Sequence, residues 1–343
     1  MTDREEHLQA FLAQEGWDDR SQAVLAGDAS NRRYLRLTRS NQTVERAILM
    51  DAPPYRGENI MRFVRIAEYL SSISLSAPKI LAQDEDQGFL LLEDLGDNLF
   101  ARVIPQSPKL ESLLYETATD VLIELHCNAV PKDVDFYGPH YATDLSALIF
   151  DFYLGVLSTA DHTDLRKEFC AQLSRALQQT GGEMEVLIQR DYHAENLLWL
   201  PEREGLKRVG LLDFQDAMIG HRAYDLVSLL QDARRDVPPE IEKRMITRYV
   251  EKTGLDRDSF SLGYAVWGAQ RNFRIIGVFA RLCIRDGKPH YIDLIPRVWQ
   301  HLQRDLKHPV LKSLLSLVAE KIPVPTKENL EKLKSKCRTS RTP

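Results

Sequence analysis

VLIQRDYHAENLLWLPEREGLKRVGLLDF, residues 186–214, carries more chemistry than any other stretch of the chain. Two short apolar runs, NLLWL and RVGLLDF, read as strands joined by a charged turn. Ahead of the first stands Gln189-Arg190-Asp191-Tyr192-His193-Ala194-Glu195-Asn196, and the second runs into Leu212-Asp213-Phe214. A hairpin therefore carries Asp191, Asn196 and Asp213 at its ends, where flanking apolar strands hold them rigidly. Two carboxylates and an amide are the donors that suit a hard divalent ion and a proton in transit.

Outward from this hairpin the chain has two textures. Upstream, an amphipathic opening helix (7–15) precedes short strand-like runs at 23–27, 33–39 and 43–50. Tyr34, Arg36 and Thr38 alternate with Leu35, Leu37 and Arg39, and the turn-formers GDASNR make 23–39 a hairpin. A helix over 58–72 and two further strands, KILAQD and GFLLLED, complete a β-β-β-α-β-β lobe over 1–95. Downstream the periodicity is mostly helical, near 107–127, 144–159, 163–180, 222–234, 238–254, 258–286, 290–306 and 309–320. The expected division is a β-rich lobe (1–95), a helical lobe (96–324), and a flexible basic tail (325–343).

Composition removes whole classes of function. Among 343 residues, 45 Lys+Arg against 50 Asp+Glu leave a net charge of −5, which does not suit a general nucleic-acid binder. No run approaches the roughly 20 apolar residues that span a bilayer. The opening MTDREEHLQAFLAQEGW has acids where a secretory signal has basic residues, so a cytoplasmic location is expected. Cys127, Cys170, Cys283 and Cys337 lack metal-ligand spacing and read as reduced thiols. Neither GxSxG, HExxH nor GxGxxG occurs, which leaves hydrolase, zinc-peptidase and dinucleotide readings without support. Trp199, Trp267 and Trp299 lie in periodic apolar settings and read as core, and His126 as a residue satisfying a local backbone group.

The motifs GDASNRRYLRL, AILMDAPP, GFLLLEDLGD, RDYHAENLLWL, GLLDFQDAMIGHRAYDLVSLLQDAR and QRNFRIIGVFARL together carry a resemblance. The chain resembles the aminoglycoside phosphotransferase and choline kinase branch of the protein-kinase-like fold, from about Phe11 to Leu306. More narrowly, it is similar to bacterial anomeric kinases of N-acetylmuramate and N-acetylglucosamine in cell-wall recycling. The resemblance implies an α+β, two-lobed architecture, with a β-rich N-lobe and a larger helical C-lobe. It also implies ATP and Mg²⁺ as cofactors and a small sugar as the partner, with no nucleic acid, membrane or obligate protein partner. Phosphoryl transfer asks for a positioned hydroxyl, a destination for its proton and neutralised phosphates, and the site residues fit that need.

On this resemblance Asp191 is the catalytic base, Asn196 and Asp213 are metal ligands, and Glu93 and Leu95 offer backbone groups to adenine. The turn from Gly27 to Arg33 covers the phosphates through Ser30, Asn31 and Arg32. Asp225 braces the catalytic loop, and His193 within that loop reads as structural. One position departs from the pattern: the third strand should present a lysine, yet TVERAILMD has Met50 there, with Arg46 its one cation. Arg32 or Arg33 substitutes, or metal ions carry more of the charge; a non-catalytic kinase-fold binding protein is the alternative that this absence admits. A lactyl carboxylate on the acceptor would call for a nearby cation. Arg271, Arg274, Arg281 and Arg285 share one helical arc, and Arg222, Asp216, Asp232 and Arg234 are further acceptor contacts. An aminoglycoside, choline-like alcohol or other sugar is the alternative acceptor.

Overall fold

Alternating apolar residues in the first hundred positions produce strands, and the sheet that they form shows which side chains share a face. The computed structural model describes residues 3–18, 20–25, 32–40, 44–181 and 185–338. The strands are β1 (Ser21–Leu25), β2 (Arg33–Ser40), β3 (Val44–Asp51), β4 (Ile80–Asp84), β5 (Phe89–Glu93), β6 (Glu185–Ile188), β7 (Leu197–Trp199), β8 (Val209–Leu211) and β9 (Met218–His221). The chain divides into two compact units, one reaching Val121 and including Ala194–Ala217, the other formed by Leu122–His193 and the chain from Met218.

In the first unit an antiparallel sheet runs in the order β1-β2-β3-β5-β4. The β2–β3 register pairs Arg33 with Asp51, Tyr34 with Met50 and Arg36 with Ile48. Leu35, Leu37, Ala47 and Leu49 fall on one face, buried with Leu8, Phe11 and Leu12 of the helix Asp3–Gln14. Each large apolar side chain contributes about 1.5–3 kcal/mol by leaving water. The helix Ile60–Ser72 starts at Asn59, whose side chain accepts from the Met61 N–H, so Glu58 lies just before the cap. Phe63 from this helix packs on Phe214 at 4.9 Å between ring centroids. The β7–β8 hairpin is tied in by Trp199 N–H to Asn98 O and Leu211 N–H to Ser76 O, both 2.8 Å.

In the second unit β6 and β9 pair antiparallel, from Glu185 opposite His221 to Ile188 opposite Met218. Four residues each, they are too short for a period to distinguish them in sequence. The 30-residue helix Arg257–Asp286 is the centre of this unit, buried through Val266, Trp267, Phe273, Ile276 and Phe279. Gly277 lets Leu148 and Ile149 cross it closely, since a Cβ there would lie 2.6 Å from the Ile149 nitrogen. Trp199, Trp267 and Trp299 are all buried, as their settings indicate.

Two expectations need correction. The basic C-terminal segment is not free through residue 338: Lys327–Ser335 is helical and Leu333 is fully buried. Leu330, Leu333 and Cys337, sparse among lysines, supply its apolar side. Cys283 and Cys337 are not separate thiols but a disulfide, brought together by that same docking; Cys127 and Cys170 are free. No described helix is long and apolar enough to cross a membrane.

Candidate active site

In the first unit a cavity of about 250 Å³ lies against the sheet, with Ile48, Leu92, Leu198 and Leu212 among its apolar walls. Glu93, Asp94, Leu95 and Gly96 line one end, and Asn196, Asp213 and Gln215 also line it. The backbone N–H and carbonyl of Leu95 carry no hydrogen bond among the described residues, an open donor–acceptor pair beside an apolar slot. Glu93 is fixed more firmly: its N–H donates to Lys79 O at 2.8 Å, and its carboxylate pairs with Arg203 at 2.7 Å. Arg203 also donates to Ser76 Oγ. The sequence offers no sign of this partner, 110 residues away.

Asp213 has φ 56°, a left-handed conformation that a non-glycine residue adopts only when its surroundings hold it there. Gln215 Nε2 donates to Asp213 Oδ1 at 2.6 Å, and Asn196 Nδ2 reaches Asp213 Oδ2 at 3.4 Å. The Asn196 backbone carbonyl accepts from the Leu212 N–H at 3.0 Å, which fixes the two ends of the hairpin together. A carboxylate and an amide, both oxygen donors, fit a small hard cation that takes few protein ligands and completes its shell with phosphate and water.

Two cations of the β2 segment lie near this cavity. Arg36 is paired with Asp94 and with Asp97, each at 2.8 Å. Arg32 Nε donates to Glu58 Oε2 at 2.7 Å. Burial disfavours the Arg32 charge, but Tyr34, Glu58 and Asp216 more than offset this and raise its pKa. Tyr34 is pushed up by burial and by Asp213, against the pull of Arg32. Asp216 itself is exposed. Arg33 points elsewhere, to Asp51 at 3.0 Å. Ser30 and Asn31 lie outside the described residues, as does the turn up to Asn31.

The second unit holds Asp191 among cations. Burial alone would raise its pKa, yet Arg274, His193, Arg271 and Arg190 together hold the carboxyl below its ordinary value. It is therefore a carboxylate at neutral pH. The loop that carries it is strained, with Arg190 at φ 73°. Asp225, wholly buried, explains why the strain persists: its Oδ2 accepts from the Gln189 N–H at 2.6 Å and its Oδ1 from the Arg190 N–H at 2.9 Å. Burial nevertheless pushes the Asp225 carboxyl up to about 7, with the two N–H groups pulling the other way.

Arg271 is 3% exposed, and its Nη2 donates to Ser228 Oγ at 2.7 Å. Its Nε and Nη1 are buried without a hydrogen-bond partner among the described residues. Arg274 is half-buried and donates to the Tyr224 hydroxyl at 3.0 Å. His193, with its pKa lowered by burial to about 4, lies 3.3 Å from Arg234 through Nε2. Asp232 Oδ1 accepts the Arg234 N–H, while its buried Oδ2 has no hydrogen-bond partner among the described residues.

Other residues of the same arc go elsewhere. Arg285 is exposed and paired with Asp286 at 2.7 Å, about 21 Å along the helix from Arg271 at 1.5 Å per residue. Arg281 is half-buried near Arg285 and Asp286. Off this arc, Arg222 lies near His126, His221 and Tyr249; burial, with Arg222 adding to it, lowers both histidines. His126 meets the Tyr249 hydroxyl at 2.7 Å.

The likeness of these features to known proteins is specific. A family model described as the phosphotransferase enzyme family matches residues 21–260. The chain belongs to this family. The N-acetylmuramate/N-acetylglucosamine kinase of Caulobacter vibrioides is 39% identical to this phosphotransferase, over 95% of this chain and 99% of that one. The enzyme of the same name from Pseudomonas aeruginosa is 34% identical, over 91% and 93% respectively. Among solved structures, a choline/ethanolamine kinase family protein from Mesorhizobium loti superposes with TM-score 0.58 at 15% identity, covering 92% of this chain and 99% of that one. An ADP-bound aminoglycoside phosphotransferase gives 0.59 at 14%, covering 88% and 97%. Those two likenesses are of fold, and they make this phosphotransferase an α+β protein of the kinase-like class.

Proposed function

We propose that the protein is an ATP-dependent, Mg²⁺-assisted kinase that phosphorylates the anomeric hydroxyl of N-acetylmuramate and N-acetylglucosamine. The cavity of the first unit takes the nucleotide, with adenine against the open backbone groups at Leu95. Asn196 and Asp213 hold Mg²⁺, which neutralises phosphate charge when bound. Asp191 orients the acceptor hydroxyl and receives its proton as that oxygen bonds to the terminal phosphorus and the bond to the departing ADP breaks. Asp225 acts one step back, by fixing the backbone N–H groups of Gln189 and Arg190. We place the enzyme in the cytoplasm, where ATP is abundant.

The observation that carries the acceptor assignment is Arg271. A buried guanidinium with two unsatisfied donors is costly unless an anionic group completes it. It acts electrostatically on Asp191, as does Arg274. The lactyl carboxylate of N-acetylmuramate supplies such a group; N-acetylglucosamine, which has none, leaves Arg271 to water, whereas the amines of an aminoglycoside would be repelled by the same arginines. Incubation with Mg-ATP and each candidate acceptor, followed by ADP release, tests this. Turnover of both amino sugars and none of kanamycin is expected; turnover of kanamycin without either sugar would overturn the assignment.

A further inference from the structure

The lysine missing from β3 leaves a question of charge that the first unit answers by itself. Met50 occupies the strand position and is 1% exposed. Arg46, the cation on β3, pairs across with Thr38, four residues back along the strand from Met50 and therefore about 13 Å away. The replacement must come from another element, and strand alternation restricts which one. Tyr34 stands opposite Met50 and Arg36 opposite Ile48, and Tyr34, Arg36 and Ile48 all line the cavity. By the same alternation Arg32, the residue preceding β2, belongs to that face, whereas Arg33 belongs to the other.

The contacts of the three arginines separate them further. Arg33 is committed to Asp51 and to Glu5. Arg36 is locked between Asp94 and Asp97, beside the backbone that meets adenine. Arg32 is at the opposite end of that face, with its side chain 13% exposed and ion-paired to a Glu58 side chain that is 12% exposed. Tyr34 senses both Arg32 and Asp213 electrostatically, and Arg32 senses Asp216. A cation therefore stands near the metal-binding end of the cavity, attached through its Nε edge to a glutamate from the segment that enters the helix Ile60–Ser72.

We propose that Arg32 grips the nucleotide's phosphates in place of the absent lysine, and that Glu58 is a positioning residue that orients its guanidinium. The inference rests on the nucleotide reading of this cavity. Arginine fits the task because its planar fork can give one edge to a carboxylate and others to phosphate oxygens, which a lysine's point charge cannot do. Glu58 thereby takes the part of the helix glutamate, with both partners of the pair shifted to new positions in the chain.

Calorimetric binding of ATP and of adenosine to the full chain tests this without requiring turnover. Arg32→Met should weaken ATP by about 100-fold and leave adenosine unchanged, and Arg32→Lys should fall between. Glu58→Gln should weaken ATP binding about tenfold at unchanged adenosine affinity, and Glu58→Asp should recover most of that loss. Equal weakening of ATP and adenosine in Arg32→Met, or an unchanged ATP affinity, would overturn the proposal. Adenosine binding by the unsubstituted protein separates the two readings: its absence sinks the nucleotide site itself, whereas its presence with an insensitive Arg32 sinks only the phosphate grip.

Discussion

Asp225 turns a buried carboxyl into loop geometry. Its two carboxylate oxygens each take a backbone N–H from the loop before Asp191, one of them from Arg190 at φ 73°. Asparagine at this position would keep one acceptor and present an NH₂ group to the other backbone donor. Leaving that donor unsatisfied costs about 1–3 kcal/mol, and the strained Arg190 conformation loses its support. Asp225→Asn should therefore lower kcat by about 10–100-fold with ATP affinity unchanged, measured by ADP release and calorimetry; wild-type kcat would mean that the loop is held by other contacts. At this scale the sequence is informative where a residue sits inside a contiguous motif, as Asp191, Asn196, Asp213 and Asp225 do. It is silent on Glu58 and on Arg203, because their partners lie 26 and 110 residues away. Nothing in a local pattern marks such a pair.

Helix periodicity locates the helix Arg257–Asp286 well, but it does not say what each part of the basic arc meets. The same arc gives a buried Arg271 and an exposed Arg285, because the neighbouring elements change along its length. The C-terminal helix Lys327–Ser335 is hidden in the sequence for a related reason: its apolar side is two leucines among lysines, with Cys337 just past its end. The Cys283–Cys337 bridge closes a loop with a sequence separation of 54 residues. Loop-closure entropy for that length is worth about 4 kcal/mol. The oxidised protein should accordingly melt about 5–10 °C above the reduced one, and Cys337→Ser should melt alike with and without reductant. Equal melting of oxidised and reduced wild-type protein would mean that the bridge adds nothing to docking of the terminal helix.

Over the whole molecule, a net charge of −5 conceals local groupings of opposite sign. One unit has carboxylates about an apolar cavity, with arginines fixed at each end of one sheet face; the other surrounds Asp191 with three arginines and a histidine. The expected texture, strands first and helices after, is legible because two hydrophobic periods differ so plainly. The chain's path is not, since the hairpin at 194–217 returns to the unit built by the first 121 residues. Such a return depends on packing, as through Phe63 and Phe214, which no run of residues displays. The central claim is that this phosphotransferase uses Asp191 to take the proton of an amino sugar's anomeric hydroxyl. Comparing Asp191→Asn with wild type in N-acetylmuramate-dependent ADP release, alongside ATP affinity, tests it most directly. The account predicts a loss of turnover of at least about 1,000-fold with ATP binding intact; a variant that still phosphorylates the sugar near the wild-type rate would contradict it.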